Sequence, residues 1–475
     1  MKYLHALRTL SAAAVVLGTG LIAVEISAAV EPVPLIPDVD NFGSQIETIQ
    51  IYEYGGQSQM MFGIYDTGAS VVTISEIERI YYELLTGEDF PVKVVDGAVA
   101  QGIGGDLVGD VSQPGRITAD GLHAYPIDWS DLLNPPPADF SQSAVVESVQ
   151  AFLGKSPGSS ALPTITGTPV HNPSAPGGLY PNGSAAVIDM RAYQLDFGAI
   201  FPGMGFDGIV IDLPDLSFAQ PGTRLPAGDG VTTYDPVRVP MDLLGPDNHG
   251  SEGDDVTAAP NPVQTSVSLT YTTEQPAQTT TTVTDKTFLF DTGAQLSVMS
   301  EEIAVALGID LSGWDHQIDV QGAAGMAIEV KGYYLDSLEV PCDTDNDGTC
   351  DDTLRFTDPA VYVLDLGVPG LDGILGMNLA NTAAAISYDP FDPLGPSASF
   401  QFLVDRPAGF DPEDWADMEA TLSALGLELP MFGGVLSGHR LPGFTVIPEP
   451  STLVLLAAGV MVLLAVRYRR RAGSQ

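Results

Sequence analysis

Two short motifs in the sequence could do chemistry together, because each places an aspartate in the same setting. Asp66-Thr67-Gly68-Ala69 follows an uncharged run that ends at Tyr65, and Asp291-Thr292-Gly293-Ala294 follows the apolar run 288–290. With average residue usage, an accidental repeat of this motif is an event on the order of one in ten thousand. A single copy would be explained by an aspartate that bonds its own turn. Two copies, each after a strand-like run, indicate a paired site.

A pair of aspartates has a chemistry that a single aspartate lacks. Two carboxylates held a few ångströms apart cannot both ionise cheaply, so they share one proton and titrate as a unit. The ionised partner can take a proton from water while the protonated partner donates to a carbonyl oxygen, which is general acid–base catalysis without a metal. Glycine after Asp-Thr permits a tight turn, and the threonine hydroxyl is placed to reach the other loop.

The elements that must position the two aspartates also occur twice, in matching order. Each motif is preceded by a β-hairpin pattern, followed by a short helix with a serine near its N-cap, and then by a strand–glycine–strand unit. These units lie at 46–66, 77–85 and 92–111 in the first half, and at 265–290, 300–307 and 317–340 in the second. A further pair is Phe206-Asp207-Gly208-Ile209-Val210 and Leu371-Asp372-Gly373-Ile374-Leu375. Repeats in one order predict two homologous lobes.

Asp-Thr-Gly-Ala in duplicate resembles the pepsin and retropepsin class of aspartic peptidases. The resemblance implies an all-β, bilobal pepsin-like fold (a duplicated retropepsin-like fold), with Asp66 and Asp291 as the catalytic pair between the lobes. The other residues of the two motifs would support the active-site loops: Thr67, Gly68, Ala69, Thr292, Gly293 and Ala294. The implied reaction is endopeptidase hydrolysis of an extended polypeptide by activated water, with no cofactor required.

The resemblance also implies a substrate-covering flap at the tip of the 92–111 unit. The residues concerned are Gly102, Ile103, Gly104 and Gly105, answered in the second lobe by Gly322. An ordinary hairpin is the alternative interpretation of 92–111. The tip has no tyrosine, so the aromatic flap contact of pepsins is not carried over.

One residue departs from the family pattern. The strand expected beneath the second catalytic loop continues into Gly376, whereas the matching position after Val210 in the first half is Ile211. A β-branched residue is awkward where one backbone passes close beneath another. Ile211 and the missing flap tyrosine therefore motivate a second hypothesis, a catalytically inactive pepsin-like protein that binds partners at the cell surface or in the extracellular matrix.

Composition narrows the possible functions. The chain has 475 residues, enough for two or three domains with substantial cores, and a formal net charge of −43 that argues against nucleic acid as a partner. Its histidines show no metal-binding spacing, and no Gly-x-Ser-x-Gly elbow occurs. These absences disfavour zinc, serine and cysteine hydrolases.

We expect six segments along the chain. The Pro- and Gly-rich stretch 132–185 looks like an insertion in the first lobe that either borders the cleft or decorates the surface, with a possible helix at Ala144–Leu153. The segments are a signal peptide (1–29), a first lobe (45–213), an interlobe connection (214–262), a second lobe (263–405), a helix with spacer (406–445) and a terminal segment (446–475).

Both ends of the chain carry export signals. Residues 1–29 have a basic start, an apolar centre and small residues at a cleavage site, which is typical of a secretory signal, an N-terminal anchor being the alternative. At the other end, Pro448-Glu449-Pro450, an apolar run to Val466 and an arginine cluster resemble the PEP-CTERM sorting signal of bacterial surface proteins. That resemblance implies a transmembrane helix in the inner membrane, an exosortase partner and release to the envelope or extracellular space. A plain C-terminal anchor is the alternative.

An acidic loop interrupts the second lobe. Asp343, Asp345 and Asp347 alternate ahead of Gly348, which is the front half of a calcium loop, but Leu354 stands where such a loop carries its bidentate glutamate. A structural calcium site completed by Asp351 or Asp352 is one interpretation, and an acidic turn without metal is the other. In an oxidising compartment we expect a disulfide between Cys342 and Cys350 to close the loop.

Overall fold

The structure, a computed structural model, describes residues 33–34, 46–102, 105–125, 137–155, 164–173, 179–196, 209–246, 256–273, 278–321, 327–350, 352–380 and 383–402. The expected signal peptide, the expected helix with spacer (406–445) and the sorting segment 446–475 lie outside these ranges. Within them, every helix is too short or too polar to cross a bilayer.

The described chain is mostly β-strand, as the sequence predicts. The first twelve strands are β1 Val33–Pro34, β2 Glu47–Tyr54, β3 Gln57–Tyr65, β4 Thr73–Ile74, β5 Val92–Gly102, β6 Gly105–Ser112, β7 Gly115–Asp120, β8 Ala144–Val149, β9 Phe152–Leu153, β10 Ile165–Thr166, β11 Ala185–Asp196 and β12 Ile209–Ala219. The remaining strands are β13 Val237–Pro240, β14 Asp242–Leu244, β15 Asn261–Thr273, β16 Thr279–Phe290, β17 Ser297–Met299, β18 His316–Gln321, β19 Ala327–Tyr334, β20 Ser337–Cys342, β21 Asp352–Thr357, β22 Ala360–Val363, β23 Gly373–Leu375, β24 Ala383–Asp389 and β25 Ser397–Phe402.

Short helices complete the described elements. They are α1 Glu76–Thr86, α2 Glu301–Ala306 and α3 Met377–Ala380, with 3₁₀ turns η1 Leu122–Ala124 and η2 Thr168–His171. The predicted serine caps are confirmed: Glu78 N donates to Ser75 Oγ at 3.2 Å, and Ile303 N donates to Ser300 Oγ at 3.4 Å. These caps satisfy amide groups that a helix start leaves unpaired.

Two lobes share one strand order, which confirms the predicted duplication. The first-lobe sheet runs β5-β6-β9-β4-β10-β3-β2-β7-β8, and the second runs β18-β19-β22-β17-β23-β16-β15-β20-β21, with β14 added beside β15. Each strand of the first sheet has a counterpart at the same place in the second. The predicted hairpins β2–β3 and β15–β16 deliver the chain to Asp66 and Asp291 respectively.

A third sheet joins the two lobes. Its order is β1-β12-β11-β24-β25-β13, so that β11 of the first lobe pairs antiparallel with β24 of the second, with Ile188 opposite Ile386. Both isoleucines are fully buried and belong to one apolar core that extends into both lobes. The lobes are therefore packed together along a continuous core rather than tethered by a linker.

The stretch 132–185 is not the insertion expected from its composition. It supplies β8, β9 and β10, all of which lie within the first-lobe sheet. The prediction of a helix at Ala144–Leu153 is wrong, since this segment forms the strands β8 and β9. Val145 and Val146 are both buried, and such a pair is compatible with a strand covered on two faces as well as with a helix. The expected connection 214–262 likewise contributes the end of β12, the edge strand β13 and β14.

Candidate active site

Asp66 and Asp291 occupy matching positions, each directly after the strand that leads into its motif. Asp66 N donates to Thr166 O at 3.0 Å, and Asp291 N donates to Leu375 O at 3.1 Å. Thr166 and Leu375 end the strands β10 and β23, which run parallel to β3 and β16. Each aspartate is thus fixed by a strand that comes much later in its own lobe.

The glycine that passes beneath the first catalytic loop is Gly167. A Cβ on Gly376 would lie 2.2 Å from Leu296 O, and a Cβ on Gly167 would lie 2.1 Å from Val71 O. Val71 and Leu296 occupy matching positions, each five residues after the aspartate of its lobe. Real Cβ atoms do not approach backbone oxygens so closely, so only glycine fits at both places. The two glycines are therefore counterparts.

This assignment corrects the repeat read from the sequence. Residues 206–210 do not match 371–375, because Ile211 lies in β12 of the third sheet, where it pairs with Leu195. The true counterpart of the second-lobe strand is Thr164-Ile165-Thr166-Gly167, inside the stretch that looked like an insertion. The departure at Ile211, which had counted against activity, therefore has no bearing on the catalytic loops.

The two threonines of the motifs hold the loops together across the lobe boundary. Thr67 Oγ1 donates to Phe290 O at 2.7 Å, and Thr292 Oγ1 donates to Tyr65 O at 3.0 Å. Each hydroxyl also accepts from the backbone amide of the other threonine, at 3.1 Å in both directions. Both threonines are fully buried. Four reciprocal hydrogen bonds in a buried setting fix the relative position of the two aspartates.

The glycines of the motifs each lie against the opposite carboxylate. A Cβ on Gly68 would be 2.4 Å from Asp291 Cγ, and one on Gly293 would be 2.4 Å from Asp66 Cγ. Any side chain at either position would push the carboxylates apart. The requirement for glycine in the repeated motif is therefore set by the other lobe, not by the local turn.

The two carboxylates share one hydrogen-bonding environment. Each lies against the glycine of the opposite motif, and Oδ1 of each accepts from its own loop, Asp66 from Ala69 N at 3.0 Å and Asp291 from Gly293 N at 2.9 Å and Ala294 N at 3.0 Å. Removal from water raises the pKa of both, and the charge of Asp291 raises the pKa of Asp66 further. Backbone donors favour the charged form, so one carboxylate ionises while the pair retains a proton.

The hairpin predicted as a flap is present, although its tip lies largely outside the described residues. Strands β5 and β6 pair with Gly102 opposite Gly105, while Ile103, Gly104 and Gly322 are not described. Asp96, with φ of 50°, donates its amide to Asp110 Oδ1 at 2.9 Å. Lys155 Nζ bridges the same two aspartates, at 2.5 and 2.6 Å.

Sequence reasoning missed several polar residues that support the site. Asn261 Nδ2 donates to Thr67 O at 2.8 Å, and Asn261 Oδ1 accepts from Ser70 Oγ. Behind Asp66, Tyr65 and His171 form a buried hydrogen-bonded pair, with 2.7 Å between Tyr65 Oη and His171 Nε2. Single polar residues so far apart in the chain leave no pattern by which they could have been found.

The acidic loop of the second lobe keeps its carboxylates together but not its expected disulfide. Asp343, Asp345 and Asp347 place one carboxylate oxygen each within 4.8 Å of the others. The predicted Cys342–Cys350 disulfide is wrong for this structure, in which both residues are thiols. Cys342 is buried in the last position of β20 while Cys350 is exposed in the loop, and burial raises the pKa of the Cys342 thiol to about 11.

Comparison with protein families agrees with this geometry. Residues 279–379, which include Asp291 and Gly376, match the family model described as aspartyl protease. This part of the chain is therefore similar to aspartyl proteases. Residues 446–471 match the PEP-CTERM protein-sorting motif. Both resemblances read from the sequence are confirmed, together with the predicted all-β, bilobal fold.

Individual proteins give little further evidence about the fold or function of this chain. One similar solved structure is the crystal structure of a retropepsin-like aspartic protease from Rickettsia conorii, with 14% sequence identity, covering 35% of this chain and 91% of that chain at a TM-score of 0.21. A likeness with so low a TM-score carries no argument about this chain. The search of curated proteins found no match.

Proposed function

We propose that the protein is an exported aspartic endopeptidase that hydrolyses polypeptide with water activated between Asp66 and Asp291. The observation that supports this most directly is that each carboxylate lies against the glycine of the opposite motif, where a Cβ would be 2.4 Å from its Cγ, so one carboxylate from each lobe is held at the same point. The reciprocal threonine contacts hold that pair in place, so the geometry is ready before substrate binds.

The proposed reaction uses one proton held by the pair. The ionised carboxylate takes a proton from a water molecule while the water oxygen bonds to the amide carbon. The protonated carboxyl group gives its proton to the amide oxygen. The tetrahedral species then collapses: the nitrogen receives a proton from one carboxyl group, the C–N bond breaks, and one hydroxyl of the tetrahedral carbon returns its proton to the other carboxylate, so that a carboxylic acid and an amine leave and the pair again holds one proton. The raised pKa of the pair favours retention of the shared proton that this sequence of steps requires.

The test is cleavage of a denatured polypeptide by the full chain between pH 3 and 8, with products identified by mass spectrometry. Asp66→Asn and Asp291→Asn should each lower kcat/KM by about 10³-fold or more, because each removes one partner of the acid–base pair. Asp365→Asn, which changes an exposed aspartate elsewhere, is the matched control and should cleave as the wild type does. Equal cleavage by all four proteins would remove the proposal.

The alternative, an inactive binding protein, is weakened by the corrected alignment of the lobes. Of its two motivations, the flap tip without a tyrosine and Ile211, the second is removed, because Ile211 lies in the third sheet rather than beneath a catalytic loop. Gly167 occupies the place that Ile211 had been assigned, so the first lobe has the glycine that the close backbone approach requires.

For location, we propose that the signal at 1–29 directs export and that an exosortase-type enzyme cuts near Pro448. The match of 446–471 to the sorting motif supports this order of events. Cutting there would release the lobes from the inner membrane to the envelope or the extracellular space. C-terminal sequencing of the protein from envelope and medium fractions tests the proposal, and recovery only of chains ending at Gln475 would contradict it.

A further inference from the structure

The loop between β20 and β21 gathers negative charge at one point. Asp343, Asp345 and Asp347 each bring a carboxylate oxygen to within 4.8 Å of the other two. Asp345 and Asp347 are exposed, whereas Asp343 is fully buried. Carboxylates so close together repel one another unless a cation lies among them.

The buried member of this group has an oxygen that no protein group satisfies. Asp343 Oδ2 accepts from Gly348 N at 2.9 Å, but Asp343 Oδ1 has no hydrogen-bond partner within the described part of the chain. A buried carboxylate oxygen left without a partner is costly. This atom is the observation, separate from the clustering of acidic residues, that points to a missing ligand.

The arginine buried beside Asp343 does not fill that role. Arg238 is buried beside Asp343, but its Nη1 lies 3.6 Å from Asp343 Oδ2, which is too long for a hydrogen bond. Its Nε instead donates to Asp392 Oδ2 at 3.0 Å, and Arg224 Nη2 also donates to Asp392, at 2.9 Å to Oδ1. The arginine is thus committed to Asp392, and the charge of Asp343 is only partly compensated.

We propose that Asp343, Asp345 and Asp347 bind one Ca²⁺ ion, with Asp343 Oδ1 as its buried ligand. Calcium prefers several oxygen ligands, and alternating aspartates ahead of a glycine supply them. The loop backbone is folded for this: Asn346 and Gly348 have φ of 60° and 88°, which turns the chain around the carboxylates. Leu354, in place of a bidentate glutamate, lies in β21 opposite Val340. We therefore expect weak binding, with Kd of about 10⁻⁴ to 10⁻³ M, as in extracellular calcium modules.

The bound ion would stabilise the join between the second lobe and the third sheet. Asp343 and Arg238 exchange backbone hydrogen bonds, Arg238 N to Asp343 O at 3.1 Å and Asp343 N to Arg238 O at 2.8 Å. Arg238 belongs to β13, the edge strand of the third sheet. Fixing the Asp343 side chain therefore also fixes a contact between the β20–β21 hairpin and that edge. The proposal does not depend on peptidase activity.

The test measures the Tm of the full chain, first freed of metal by chelation, with increasing CaCl₂ up to 10 mM, and uses MgCl₂ for comparison. Calcium should raise the Tm of the wild type by several degrees through mass action, and magnesium by less. Asp345→Asn should need about tenfold more calcium for the same shift, because it removes a charged ligand that is exposed and outside the core.

The matched control is Asp365→Asn. Asp365 and Asp345 are both exposed, and each accepts a hydrogen bond from the amide two residues later, Gly367 N at 3.1 Å and Asp347 N at 3.2 Å. The control should respond to calcium as the wild type does. The proposal would be overturned if Asp345→Asn showed the same Tm shift as the wild type at each calcium concentration. It would also be overturned if the wild type showed neither a Tm shift nor a calorimetric binding heat with calcium.

Discussion

The two lobes have the same strand order but differ in what fills their interiors. Behind the first aspartate, Tyr65 hydrogen-bonds to His171, and behind the second the matching positions are Phe290 and Ala380. Tyr65 contacts Phe218 edge-on at 6.2 Å between ring centroids, and Phe290 contacts Phe400 in the same manner at 5.6 Å. The edge-on ring contact is thus present in both lobes, although the first lobe has a polar pair where the second has two apolar residues.

The strands beneath the catalytic loops differ in the same direction. Thr166 of the first lobe shares its hydroxyl with Thr48 Oγ1 at 2.7 Å and Gln50 Nε2 at 2.5 Å, whereas its counterpart Leu375 packs in the apolar core. The lobes have in common the backbone geometry of the catalytic loops. Both retain the aspartate, the threonine and the glycines at which one chain segment passes close to another. This is consistent with a family model that matches 279–379 and not the first lobe.

Substituting the glycine beneath each loop should have the largest effect on this comparison. Gly167→Ala and Gly376→Ala should each lower the free energy of unfolding by about 4 kcal/mol or more, because the new Cβ meets backbone atoms that cannot move aside. Urea unfolding measures it. Gly313→Ala is the control, since its Cβ would have no atom nearer than 3.8 Å. If Gly167→Ala were as mild as the control, the two glycines would not be counterparts.

The polar pair of the first lobe predicts an acid sensitivity that the matching apolar positions of the second lobe, Phe290 and Ala380, cannot have. Ser184 O can only accept, so His171 Nδ1 carries the proton at 2.8 Å from it and Nε2 accepts from the Tyr65 hydroxyl. Burial lowers the pKa of His171 to about 4 from an ordinary value of 6.5. Between these two pH values the unfolded chain binds the proton more readily, so the stability present above pH 6.5 is lost as the pH falls towards 4.

The size of this loss is about 3 kcal/mol, from the difference between the two pKa values of His171. The measurement is the free energy of unfolding at pH 7 and at pH 4 for the wild type and for His171→Gln. The other titrating groups are common to both proteins, so the variant should lose about 3 kcal/mol less. Identical losses would show that His171 does not titrate on unfolding in this range.

The cross-lobe threonines should have smaller and equal effects. Thr67→Val and Thr292→Val each remove one donor to a carbonyl and one acceptor for an amide, which leaves two buried backbone groups unsatisfied. We expect each to lower the free energy of unfolding by about 2 kcal/mol, with Thr223→Val, an exposed threonine, as control. A marked difference in the free energy of unfolding between Thr67→Val and Thr292→Val would mean that the two threonines do not stabilise the contact between the lobes equally.

Local signals made much of the fold predictable. Period-two alternation predicted the β2–β3 and β15–β16 hairpins, and Ser75 and Ser300 marked the starts of α1 and α2, because hairpins and helix caps are determined by residues near in sequence. The duplicated motif likewise predicted that the two aspartates lie together, since only a pair explains the repetition.

Long-range pairings were not predictable in the same way. Strand β10 has only two residues, Ile165 and Thr166, and it follows Asp66 after a Pro- and Gly-rich stretch, so its pairing with β3 left no periodic pattern. The segment 206–210 resembles the second-lobe segment 371–375 in sequence, but its described residues Ile209 and Val210 belong to β12 of the third sheet. The contact between Arg238 and Asp343 also joins distant residues, through a backbone bridge that side-chain types do not encode.

The most direct test of the paired site is a double-variant comparison of kcat/KM for Asp66→Asn, Asp291→Asn and the protein carrying both substitutions. If one proton is shared between the two carboxylates, removing either partner disables the unit, so the double variant should be no slower than the slower single variant within about threefold. Losses that multiply in the double variant, or a single variant with wild-type activity, would contradict a shared site between the lobes.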